Sequence, residues 1–97
     1  MSNAEAIVPL PAHLGLEALA DLAVALRKTL GSGQNLLLDG AEVKSVDGAS
    51  LQLLLATLQT ASHKGVHCGW RAASTVLKDA AALAGITEEL LIDGIRS

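Results

Sequence analysis

A run of three leucines with helical patterning on either side constrains this chain more than any other feature. Leu36-Leu37-Leu38 follows the turn-forming Gly31-Ser32-Gly33 and ends at Asp39. A short continuous apolar run after a turn reads as a strand buried on both faces, the kind found in sheets covered by helices. Before it, Leu16, Leu19, Ala23, Leu26 and Leu30 recur at spacings of 3, 4, 3 and 4, which is one face of a helix. After it, Leu51, Leu54, Leu55 and Leu58 form a second stripe within Ala49 to Ser62. A strand framed by two amphipathic helices returns to its own sheet through crossover connections, which places the chain in the α/β class.

The remaining segments extend this order. Ala6 to Leu10, closed by Pro9 and Pro11, suits an edge strand, because proline cannot donate to a ladder. Asp47 is placed to cap the second helix, and Gly65 to stop it. Val66 to Arg71, with Cys68 and Trp70, offers a third strand. Ser74 then caps a third helix carrying Leu77, Ala81 and Ala84 and stopped by Gly85. Leu90-Leu91-Ile92 reads as a last turn or an edge strand. The expected architecture is a sheet of about four strands, mainly parallel, with covering helices on one face or both. Residues 6–95 read as one domain, after a flexible N-terminus at 1–5.

Composition closes off several functions. Leucine (19) and alanine (17) supply 36 of 97 positions, with one tryptophan and no other aromatic residue. That is enough apolar material for one core and too short a chain for two. A lone Cys68 forms no internal disulfide, which favours a reducing, cytoplasmic setting. Seven basic residues against ten acidic ones, without a basic cluster or stacking aromatics, argue against nucleic acid as a partner. The longest apolar stretches are five residues, far below the roughly 20 that span a bilayer, and Met1 to Glu5 lacks the pattern of a signal peptide.

Among polar residues, Asp39 and Asp47 stand out, one at a strand end and one at a helix start. Ligands of open α/β sheets gather at the carboxyl ends of the strands, where both would lie. An acid pair suits Mg²⁺ or acid/base work. Without a third ligand, His or Lys in the motif, a cap at Asp47 and a turn-ordering role for Asp39 explain the pair better. His63, His67 and Cys68 lack metal-binding spacing, and adjacent strand residues point to opposite faces, so no metal and no cofactor are expected. His13 stands alone in a proline-flanked loop. The nearest approach to a nucleophile elbow, Gly48-Ala49-Ser50-Leu51-Gln52, lacks its second glycine, and no enzyme is expected.

From Leu36 to Ala56 the chain reads LLLDGAEVKSVDGASLQLLLA. This resembles the central motif of the STAS domain family, named for sulfate transporters and anti-sigma factor antagonists. There a buried strand ends in Asp, a loop carries a valine, and a second Asp opens a helix in a pattern like D-S-S-G-L-G-V-L-L. Asp39 matches the strand-end Asp, Val43 the loop valine and Asp47 the motif Asp. Leu51, Leu53, Leu54 and Leu55 match the apolar helix. Gly65 to Trp70 resembles the strand before the last helix, and AAALAGITEEL, from Ala80 to Leu90, resembles the closing helix.

The resemblance implies a STAS-like (anti-anti-sigma) fold and a non-enzymatic, protein-binding role in bacterial signalling. The implied partner is an anti-sigma factor, a kinase-like protein or a chemotaxis regulator, with a homodimer as a further option. The implied surface comprises Asp39, Val43, Asp47, Gly48, Ala49, Ser50 and Gln52. The family's phosphorylated hydroxyls fall on Gly48 and Ala49, which carry none. Two readings follow: Ser50, the nearest hydroxyl, takes the phosphoryl group one residue further along the helix, or the domain binds without the usual phospho-switch, and the second is the expectation preferred here. Related branches imply two alternatives: an accessory subunit on the ATPase of a phospholipid-transport ABC system, or a domain that binds a small ligand or lipid.

Overall fold

A computed structural model describes residues 5–87 and residue 90. Five strands and three helices follow one another as β1 (Glu5–Pro9), β2 (His13–Leu14), α1 (Leu16–Gly31), β3 (Asn35–Gly40), β4 (Ser45–Val46), α2 (Gly48–His63), β5 (Cys68–Ala73) and α3 (Thr75–Leu83). The chain is a small α/β protein with a parallel sheet.

The leucine run forms β3, the middle strand of a three-stranded sheet in the order β1-β3-β5. β1 pairs with it in parallel from Glu5↔Asn35 to Pro9↔Asp39, and β5 from Leu36↔Cys68 to Gly40↔Ala73. β1 thus lies at an edge of the sheet, as its terminal proline requires. Between Leu38 and Asp39 the β3–β5 register shifts, so that Trp70 and Ala72 face consecutive residues and Arg71 is left over as a bulge.

The described residues show part of the expected sheet of about four strands. Among the described residues the main sheet has three strands, and β2 and β4 form a separate parallel ladder of two residues each. Leu91 and Ile92, the expected last element, lie outside the described residues; Leu90 is in a turn and fully buried.

The three helices of the described residues cover one face. α1 packs on β1 and β3, α2 packs on β5, and the two helices pack on each other. Leu77 of α3 reaches Gly40, which is in phase with Leu36 and Leu38. Burial along β3 consequently alternates. Leu36 and Leu38 are inaccessible, while Leu37 is half-buried and its partner Ile7 is 46% exposed. The expectation that this strand is buried on both faces is corrected by that second, partly open face. The core behind the covered face joins Leu22, Leu26 and Leu30 of α1 to Leu51, Leu54, Leu58 and Ala61 of α2, and to Leu77 and Ala81 of α3.

The helix ends follow their sequence signals. At the C-terminus of α2, Gly65 takes φ +72°, its N–H reaches the Ser62 carbonyl, and the Val66 N–H reaches Ala61. α3 ends in the same way, with Gly85 at φ +73°, Gly85 bonded to Ala82 and Ile86 to Ala81. In both, a left-handed glycine lets the last carbonyls find donors, while an apolar residue beyond it folds back toward a buried alanine. No described helix is long and apolar enough to cross a membrane.

Candidate functional site at the carboxyl end of the sheet

At the carboxyl end of β3 the chain leaves the sheet, passes through β4 and enters α2, all within ten residues. Asp39 closes the first turn: its carboxylate accepts the Ala41 N–H at 3.1 Å, and its carbonyl accepts the Leu10 N–H at 2.8 Å. Gly40 follows where nothing larger fits. A Cβ there would lie 2.6 Å from Leu77 Cδ2 and 3.3 Å from Trp70 Cζ3. Its carbonyl accepts from Val43 and Ser74, tying the loop to the start of α3. Val43 itself is buried, and anchors the loop from beneath.

Asp47 caps α2. Its backbone is extended (φ −96°, ψ 171°), and its carboxylate accepts the Ser50 N–H at 2.8 Å. That backbone hydrogen bond holds the Asp47 carboxyl below its ordinary 3.8, with the nearby Ser50 hydroxyl acting in the same direction. Among the described residues the hydroxyl meets no acceptor in hydrogen-bonding geometry, so the amide is the interaction that counts. Ser50 is fully inaccessible.

The seven residues that the sequence singles out therefore separate. Asp47, Gly48, Ala49 and Gln52 are exposed at the start of α2, and Asp39 is half-buried at the loop's base. Val43 and Ser50 face the core, so neither side chain reaches the surface, and a phosphoryl donor has no access to the Ser50 hydroxyl.

The structure also adds residues to this end. The β2–β4 ladder sets His13 opposite Ser45 and Leu14 opposite Val46, and the Asp47 N–H donates to Leu14. α1 and α2 thereby start side by side: a Cβ on Gly15, the N-cap of α1, would lie 3.8 Å from the Asp47 carboxylate. His13 Nδ1 lies 2.9 Å from Ser45 Oγ, both exposed. Leu16, the first residue of α1, is 82% exposed. These two residues and Leu16 border a depression of about 370 Å³ completed by Gly15, Glu17 and Ala18. Two-residue strands are too short to show an alternating pattern, which is why His13 reads from sequence as an isolated loop histidine.

His63 and His67 are exposed at the opposite end of α2 and before β5. Cys68 is buried, and burial pushes its thiol up to about 11. Among the described residues no three His, Cys, Asp or Glu side chains gather as a metal site.

No protein-family model matches the chain, and no curated protein matches it significantly.

Proposed function

We propose that the chain is a STAS-like protein-interaction module that docks through the end of the molecule where α1 and α2 begin. The observation that carries this reading is the exposure of small and polar residues, Gly48, Ala49 and Gln52, around a capped helix start. Their sequence pattern is the one that resembles the family's binding motif. Small side chains let a partner approach the backbone of the first turn closely, and the exposed Leu16 beside them offers an apolar anchor. With Val43 and Ser50 buried, Asp39, Asp47, Gly48, Ala49 and Gln52 are the residues left to make contact. Burial of the Ser50 hydroxyl and the absence of hydroxyls at Gly48 and Ala49 favour binding without the family's phospho-switch. The partner in this reading is a larger signalling protein of the anti-sigma or chemotaxis type, and the chain itself performs no catalytic turnover.

The test compares partners captured from a bacterial lysate by the wild type, Ala49→Lys and Gln52→Lys. Both substitutions lie on exposed helical positions and leave the Asp47 cap in place. Loss of the captured partner in both variants is the expected result. Retention of the same partner in the same amount assigns the interface elsewhere.

A further inference from the structure

The His13–Ser45 pair has no part in the docking reading, yet it has the arrangement of a nucleophile and its base. We propose that Ser45 is an acyl-acceptor site, with His13 as the base that takes its proton and the adjoining depression as the seat for a small uncharged acyl group. Ladder pairing fixes the two residues as direct partners, so a separation of 32 positions in sequence becomes 2.9 Å between Nδ1 and Oγ. A serine hydroxyl is a weak nucleophile until a neighbouring base removes its proton, and that distance lies within the range such transfer needs. The role of base belongs to the tautomer with its hydrogen on Nε2, in which Nδ1 accepts from the hydroxyl.

The depression selects the chemistry. Gly15, Leu16 and Ala18 line it with apolar or small surface, and Glu17 adds a carboxylate. A phosphoryl group, with its charge of about −1.5 to −2, would be repelled by that carboxylate, whereas a short acyl chain would lie against Leu16 and Ala18. The Ala18 and Leu19 N–H groups donate to the Gly15 carbonyl, so of the first turn of α1, which has no side-chain cap, the Leu16 and Glu17 N–H groups are the ones to donate to the acyl carbonyl oxygen. The donor is an activated ester or thioester. Ser45 Oγ attacks its carbonyl carbon while His13 Nδ1 takes the hydroxyl proton. The new Oγ–C bond forms, the bond to the leaving oxygen or sulfur breaks, and His13 passes the proton to that leaving atom. No electrons are gained or lost overall, and the ester stays on Ser45.

Incubation with p-nitrophenyl acetate, followed by intact mass and peptide mapping, tests the assignment. The expected result is one acetyl group on Ser45, none there in Ser45→Ala, and labelling slowed at least about tenfold in His13→Gln, which keeps a hydrogen-bonding side chain. Both residues are exposed, so a far-UV CD spectrum matching the wild type is expected for each variant. Acetyl groups confined to Lys44 or other lysines, or Ser45 labelled at the wild-type rate in His13→Gln, overturn the proposal. Neither result bears on partner docking, which the lysate comparison tests separately.

Discussion

Four residues between the end of β3 and the first turn of α2 have roles that single substitutions can separate. Gly40 is there for space: a methyl group would push into Leu77 and the Trp70 ring. Gly40→Ala should cost about 1–3 kcal/mol in urea unfolding, the usual penalty of overpacking. Gly48 has open space around its Cα, so Gly48→Ala should leave the midpoint within about 0.5 kcal/mol of the wild type. Ser50 presents the reverse case, a buried hydroxyl without an acceptor among the described residues. Ser50→Ala removes an unsatisfied polar atom and should be neutral or stabilising, whereas Ser50→Asp buries a charge and should destabilise strongly. Asp47 adds a pH signature. Its folded-state pKa is depressed, so its contribution is complete above the ordinary value of 3.8 and is lost as pH falls through the lowered one. Unfolding midpoints taken through that acid range should fall more steeply for the wild type than for Asp47→Asn.

At the scale of elements, caps and stops explain why the helices begin and end where they do. Ser74 caps α3 by accepting the Leu77 N–H at 3.1 Å, and Ser74→Ala should lower stability by about 1 kcal/mol in the same urea assay. Because Gly40 also accepts from the Ser74 backbone N–H, the substitution leaves the β3–α3 junction tied while loosening only the helix start. These local devices were legible in the sequence. Asp47, Ser74, Gly65 and Gly85 each act within a few residues, and their residue types announce a cap or a left-handed turn. The leucine run marked a strand for the same reason. Its second face was not legible, because three leucines in a row look alike whether a helix covers both sides of them or one. The β2–β4 ladder was not legible either. Its two-residue strands follow from where the longer elements bring the chain, and so the pairing of His13 with Ser45 and the neighbouring starts of α1 and α2 emerged only in three dimensions. The same tertiary placement turned Val43 and Ser50 inward, although their motif positions suggested a surface.

For the whole molecule, the covered face of the sheet and the turn at Leu90 back the carboxyl end of the sheet. Trp70 Nε1 donates to the Leu90 carbonyl at 2.7 Å, and the Leu90 side chain is fully buried. Leu90→Ala should therefore cost about 2–5 kcal/mol, the range for emptying a buried leucine site, with the change read by Trp70 fluorescence on unfolding. The division between a helix-covered face and one carrying Ile7 and Leu37 leaves the ends of the sheet as the places where loops gather. The carboxyl end has the exposed small residues and the exposed Leu16 that a partner can use. Amide hydrogen exchange of the chain, alone and in complex with its captured partner, tests this most directly. Docking through the start of α2 requires slowed exchange at residues 47–52 and at the neighbouring start of α1, with little change at Lys64 and Gly65 beyond the other end of α2. Protection confined to α3 or to the carboxyl ends of α1 and α2 would contradict it.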